Sequence, residues 1–357
     1  MTQSTVRASR LGLLQITLAA ALWGTSGVVA SLVHDSTGLG PLQISFWRLA
    51  FASGAMLLIA LPRLTTVVRA ARRQPLVLVA AGAALATYQG LYFVSVTTAG
   101  VNIATMVSLG TAPVVAAVWE AFRSRRFPGL RRCVVLVVAV TGLVLVAGGH
   151  GGPAGPHQGL GVLAAVVSGT VYGSQAILGR HLAQRAPAVA VTTVTSVVGA
   201  VCLLPFVLLA APAVRPVEAP WSVTQAWVGL ALMGVLATAV AYVLFNSGLR
   251  ATESSVAAVL TLVEPLTAAV LAVVVLAEPT GAATVLGAAL LVGAVAVLYL
   301  APGGAGTAGG APSGAPPVTD DVDDGGADGA ADGEADGAAD GPLDDAADGG
   351  LRARSSG

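Results

Sequence analysis

The residues of this chain that have chemistry to offer are few. In the stretch TLVEPLTAAVLAVVVLAEPTG (261–281), Glu264 and Glu278 each stand directly before a proline, Pro265 and Pro279, in a run that is otherwise almost wholly apolar. Low dielectric disfavours the charged form of a carboxylate, so such a group is placed to load and release a proton or a cationic group. A proline has no N–H and deprives the carbonyl four residues earlier of its helical partner. For Pro265 that carbonyl is Thr261, and for Pro113, in another apolar run, it is Leu109. Arg48 also sits in an apolar run. It can snorkel along its own stem, neutralise Glu264, or bind an anionic group of a solute.

Aromatic and polar side chains fall on single helical faces. Tyr88, Tyr92 and Ser95 are spaced i, i+4, i+7, as are Ser168, Tyr172 and Gln175; Thr238, Tyr242 and Asn246 form a third stripe, and Trp23 and Ser26 a fourth. Each stripe alone reads as the polar glue that joins helices in membranes. Four of them beside a proline-broken acidic helix predict a cavity for an uncharged or zwitterionic small solute.

The elements that must position these residues are membrane spans. The chain is 55% apolar and 10% charged, against about 25% charged in soluble domains. Of its 18 acids, only Asp35, Glu120, Glu218, Glu253, Glu264 and Glu278 precede Asp320. A bilayer core needs roughly 20 apolar residues as helix. The sequence holds ten such runs, near 12–33, 42–61, 76–95, 102–122, 132–148, 159–179, 188–210, 221–247, 254–277 and 281–300. The first runs on to Val33, too long for a signal-peptide core, and reads as an uncleaved span. Glu264 lies ten residues into the ninth, about 15 Å along a helix, near mid-bilayer. An ionisable group there is a functional hypothesis by default, with a protonated or paired structural carboxylate as the other reading. Glu278 falls at the end of that span, where it suits the start of the tenth helix. Glu120, three residues before Arg123, is expected to form an interfacial pair.

With ten spans the termini share a side. Arg7, Arg10, Arg63, Arg69, Arg72, Arg73, Arg123, Arg125, Arg126, Arg131, Arg132, Arg180, Arg185 and Arg250 then fall on that side, and Arg215 on the other. Arginine-rich short loops stay cytoplasmic, so a multi-pass protein of the cell (plasma or inner) membrane is expected, with both termini inside.

The chain also repeats itself. FVSVTTAGVNIATMVSLGTAP (93–113) lies on FNSGLRATESSVAAVLTLVEP (245–265), and LWGTSGVVA (22–30) on VYGSQAILG (171–179). Five spans per half is an odd number, so the halves must be inverted, as in secondary transporters that bind substrate at the repeat interface. The expected division is a cytoplasmic N-terminus (1–11), a first repeat (12–148), a Gly/Pro-rich linker (149–158), a second repeat (159–301) and an acidic tail (302–357). The fold class is an all-α membrane protein of ten helices in a 5+5 inverted-topology repeat. The tail, with ADGAADGEADGAADG (327–341), has the composition of a disordered segment.

Together with this topology, the WGTS stretch at 23–26, the WR at 47–48 and the EP at 264–265 resemble the EamA-type permeases of the drug/metabolite transporter superfamily. The resemblance spans roughly residues 10–301 and implies export or exchange of small metabolites through a central cavity between the halves. One departure is the second Glu-Pro, at Glu278, whose counterpart in the first half is Arg126.

The expected activity is secondary transport, by alternating access, of an amino acid or similar amphipathic solute. It is an exporter that is either proton-coupled or facilitative, with protons, lipid and the solute as partners and a monomer or homodimer as the working unit. The candidate site comprises Glu264, Pro265, Pro113, Arg48, Trp23, Tyr88, Tyr92, Tyr172, Gln175, Tyr242 and Asn246. A membrane enzyme acting on lipid-linked substrate, or a non-transporting sensor or scaffold, are the alternatives; the first would need catalytic groups clustered at headgroup level. Cys133, Cys202 and four dispersed histidines carry no metal or disulfide signature. No cofactor is implied, and the arginines follow from topology rather than from nucleic-acid binding.

Overall fold

The computed structural model describes residues 3–125, 129–148, 157–210, 220–276 and 281–300. Glu278, the Gly/Pro-rich linker from 149 to 156, Arg126, Arg215 and the acidic tail lie outside the described residues.

Ten helical spans follow one another: α1 (Gln3–Thr37), α2 (Pro41–Ala60), α3 (Pro75–Ala99), α4 (Val101–Ser124), α5 (Leu130–Gly148), α6 (Gln158–Ala183), α7 (Ala188–Leu208), α8 (Val223–Gly248), α9 (Ser254–Leu260 and Val263–Leu276) and α10 (Ala282–Leu300). Among the described residues, ten helices are long and apolar enough to cross a membrane. An amphipathic helix, Leu64–Arg73, follows α2, burying Val67 and Ala70 and exposing Arg69, Arg72 and Arg73.

Local sequence sets the corners. Gly38 takes φ 70° and its N–H donates to the His34 carbonyl, closing α1 before Pro41 opens α2. Pro suits a first helical turn because its missing N–H is one that the helix does not use. The α3–α4 corner is the single residue Gly100, at φ 96°, a conformation that a side chain would strain. Ser222 and Gln225 cap the start of α8 reciprocally. Many large apolar side chains face outward, among them Leu58, Leu76, Leu130 and Leu300. That arrangement would be a liability in water and suits lipid.

The packing obeys the inverted repeat. α3 packs on α6 and α8 on α1; α4 on α6 and α9 on α1; α3 on α7 and α8 on α2. Exchanging each helix n with n+5 turns one member of each pair into the other. The contacts α2–α7, α4–α9 and α5–α10 map onto themselves. Small residues make these crossings, as they do where lipid gives no hydrophobic drive to association. At the α5–α10 crossing a Cβ on Gly142 would meet the Gly287 carbonyl at 2.8 Å, and one on Gly287 the Gly142 carbonyl at 2.6 Å.

Two helices depart from regular geometry. α9 breaks at Thr261–Leu262, just before the Glu-Pro pair. The Thr261 carbonyl, expected to be left without a partner, accepts from the Glu264 N–H at 2.9 Å in a tighter turn. α4, by contrast, continues through Pro113 without interruption, so the expected pair of broken helices is realised on one side only. α8 widens to a π-helical segment at Val235–Val240, immediately after Gly234.

Candidate functional site

The site lies where α1, α2, α3, α6, α8 and α9 meet. Glu264 enters the first turn of the second α9 segment, Val263–Leu276. An acid in a first turn is favoured by the helix dipole, although the Glu264 N–H is taken by the Thr261 carbonyl and Pro265 has none. Its side chain is half-buried, while the preceding residues Leu260 to Val263 and Pro265 are buried. The Tyr172 hydroxyl donates to Glu264 Oε2 across a long 3.5 Å.

Arg48 does not snorkel. Its Nη2 donates to Gln89 Oε1 at 2.9 Å, and Gln89 Nε2 in turn donates to the Leu85 carbonyl at 3.2 Å. Arg48 and Glu264 act on each other electrostatically but make no ion pair within 4.0 Å. Aromatic side chains fill the region around the two charges. Tyr88 interacts with both Arg48 and Tyr242 and packs against Tyr172 with the rings tilted by 35° and centroids 4.9 Å apart. Trp23 lies 5.0 Å from Tyr242 and 5.2 Å from Phe245.

Several donors in this box have no protein partner. Arg48 Nε and Trp23 Nε1 are buried and unbonded, as is the Ser26 hydroxyl. Buried polar groups are nearly always satisfied, which sets these three donors apart from most of the interior.

The other expected residues divide. Gln175 Nε2 donates to the Ala81 carbonyl at 3.3 Å, and Asn246 Nδ2 to Thr192 Oγ1 at 3.1 Å. Both line a cavity of ≈ 20 Å³ beside Tyr242, and Gln175 also borders one of ≈ 10 Å³ with Trp23 and Tyr172. Neither cavity has room for more than about one water. Tyr92 pairs with Thr105 at 2.9 Å, joining α3 to α4, and Ser168 donates to the Tyr88 carbonyl at 2.8 Å. Pro113 and Pro265 are buried and shape backbone rather than offer groups. Gln89, Thr105 and Phe245 complete the site without having been singled out in the sequence. Gln89 was visible as an amide in an apolar run but lies off the tyrosine stripe.

The repeat shows which chemistry is not duplicated. A Cβ on Gly24 would meet the Glu264 carbonyl at 2.5 Å, and one on its repeat mate Gly173 would meet the Ala112 carbonyl at 2.7 Å. A Cβ on Gly234 would meet the Arg48 carbonyl at 2.8 Å, and one on its mate Gly82 the Thr195 carbonyl at 2.9 Å. Ala112 therefore stands where Glu264 stands, and Thr195 where Arg48 stands. The scaffold is symmetric, whereas its two central charges are not.

This architecture is shared with known proteins. The EamA-like transporter family model matches residues 10–148 and again 159–300. The chain belongs to the EamA-like transporter family. A Bacillus subtilis (strain 168) protein described as "Uncharacterized transporter YwfM" is 30% identical over 289 residues, covering 80% of this chain and 93% of that protein. A protein of known crystal structure matches with a TM-score of 0.67 at 20% identity, over 81% of this chain and 97% of the other. This EamA-like chain is thus a multi-pass membrane transporter built from two repeats.

A second cluster lies at the arginine-bearing ends of the helices. Glu120 of α4 accepts from the Ser255 N–H at 3.1 Å and from the Ser255 hydroxyl, capping α9. It faces Arg180 of α6 at 3.9 Å, in place of the pair with Arg123 expected from spacing. Glu253, just before α9, pairs with Arg132 of α5 at 2.8 Å. Burial lifts the Glu253 carboxyl above its usual range, against the opposing pull of Arg132. These contacts tie α4 and α5 of the first repeat to α6 and α9 of the second.

Proposed function

We propose that this EamA-family transporter exports a small zwitterionic or amphipathic metabolite of amino-acid size by alternating access. The carrying observation is that Arg48 and Glu264 both act on Tyr88 yet make no ion pair with each other, while Arg48 Nε and Trp23 Nε1 are donors without a partner. A solute carboxylate fits the donor side, a solute ammonium fits Glu264, and Trp23, Tyr88, Tyr172 and Tyr242 cover its apolar part. The guanidinium is suited to planar recognition of a carboxylate.

Glu264 is the group on which solute and proton compete. It is balanced between desolvation, which disfavours the anion, and the N-terminus of the α9 segment, which favours it. The small cavities beside the box mean that the halves part to admit the solute. The chain works in the cell membrane with both termini cytoplasmic, its repeats divided at the 149–158 linker and its acidic tail outside the transport cycle.

The test is counterflow in proteoliposomes, with a panel of amino acids and of their decarboxylated and esterified analogues, with and without an imposed pH gradient. Uptake of zwitterions in preference to either analogue series supports this reading. Equal uptake of amines lacking a carboxylate removes the role of Arg48.

A further inference from the structure

Away from the central box, a cavity of ≈ 210 Å³ opens between the helix Leu64–Arg73, the first turn of α3 and the corner joining α6 to α7. Its rim carries Arg73 and Arg185, and its wall includes Gln74, Leu78 and Leu182. Neither arginine is ion-paired with a carboxylate among the described residues. Arg185 is held in place by His181 on the preceding turn, with Nη1 against the imidazole at 2.6 Å. The buried Gln74 side-chain oxygen has no partner. Rotating the amide, which exchanges its O and N positions, turns an N–H₂ to that place instead.

We infer that this cavity, lined by Arg73 and Arg185 together with Gln74, binds the phosphate headgroup of an anionic phospholipid. Guanidinium forks match phosphate geometry, and basic pockets between membrane helices are a recurrent headgroup site. A lipid, rather than a soluble phosphate, is the occupant because of what adjoins the cavity. The helix Leu64–Arg73 has buried Val67 and Ala70 and exposed Leu64 and Val68. The end of α2 before it exposes Leu57, Leu58 and Ile59. Acyl chains attached to a headgroup in the cavity would lie along this apolar surface.

The site is one-sided. The α6–α7 corner has its repeat mate in the α1–α2 corner, where the sequence reads HDSTGLG (34–40), without arginine. A headgroup bound here would brace the interfacial helix of the first repeat against the α6–α7 corner of the second.

The experiment compares full-length protein in nanodiscs of phosphatidylcholine alone and with added phosphatidylglycerol, reading melting temperature and, by native mass spectrometry, lipids retained. Phosphatidylglycerol is expected to raise the melting temperature of the wild type and of Arg63→Gln/Arg69→Gln. That control removes the same charge from the same face but outside the cavity. Arg73→Gln/Arg185→Gln is expected to lose most of the gain, with lipid retention falling about fivefold per arginine. Millimolar inorganic phosphate in detergent is expected to shift neither.

An undiminished gain in Arg73→Gln/Arg185→Gln overturns the site. An equal loss in the control means diffuse surface attraction, and an equal shift by inorganic phosphate means a soluble-anion site; either also overturns it. Should the double variant fail to insert, Arg185→Lys and Arg185→Gln replace it. Retention kept by lysine and lost by glutamine sustains the proposal, and retention kept by both ends it.

Discussion

Gly24 and Gly27 lie one turn apart on α1 and predict opposite responses to the same substitution. A Cβ on Gly24 would stand 2.5 Å from the Glu264 carbonyl oxygen and 2.6 Å from Thr267 Cβ, whereas one on Gly27 meets nothing within 4 Å. Non-bonded carbon contacts settle near 3.5–4.0 Å. Gly24→Ala must therefore push α1 and α9 apart by about 1 Å at the site itself, because neither neighbour is the flexible end of a side chain. Overpacking of this kind costs about 1–3 kcal/mol. Replacing glycine by alanine in a helix also gains about 1 kcal/mol, but both variants share that gain and it cancels in their difference. Gly24→Ala should thus be about 1–3 kcal/mol less stable than Gly27→Ala, with Gly27→Ala no less stable than wild type. Thermal unfolding in detergent measures the difference, and transport should fall in Gly24→Ala alone. Equal melting of the two variants would refute the close α1–α9 crossing, and with it the placement of Glu264.

Because burial raises the folded-state pKa of Glu253 above its usual value, its contribution is fully present below the unfolded pKa of about 4.3 and is lost as pH rises through the folded value. The stability of wild type relative to Glu253→Gln should therefore decline from pH 4 towards neutrality; a difference that grows with pH would contradict this. Ser255→Ala removes the hydroxyl bond to Glu120 while the backbone N–H bond remains, and is expected to cost about 1 kcal/mol by thermal melting. No loss would show the contact to be incidental. In a background without Cys133 and Cys202, cysteines at Asp35 and Gly152 should label from outside intact cells, and cysteines at Arg69 and Arg125 only after permeabilisation. Any exchange between those two groups would overturn the orientation read from the arginines.

Much of this fold was legible because bilayers impose a simple code. Ten apolar runs, an odd number per half and short internal alignments were enough for the inverted repeat, and the helix pairing carries that symmetry through. The central residues were readable for a related reason. A charge such as Glu264 or Arg48 in an apolar run has nowhere cheap to go, so its presence announces an interior environment. What escaped was register and backbone detail. Proline marked α9 and α4 alike, yet only α9 broke, at Thr261–Leu262, where the Glu264 N–H bonds the Thr261 carbonyl. Gln89 lies off the tyrosine stripe that face-counting picks out, and its contact with Arg48 is decided by helix rotation. The turn from Glu120 to Ser255 and Arg180 depends on which helix ends converge, and spacing within one helix cannot supply that.

The central claim is that Glu264 is the site at which solute and proton compete. Glu264→Gln keeps the shape of the side chain and most of its hydrogen-bonding capacity but cannot ionise. In proteoliposomes with an imposed pH gradient, wild type should accumulate a zwitterionic amino acid against its gradient. Glu264→Gln, at equal reconstitution, should lose that accumulation while still exchanging solute across the membrane. Full proton-driven accumulation by Glu264→Gln would contradict the account and leave the carboxylate a structural role at the start of the α9 segment.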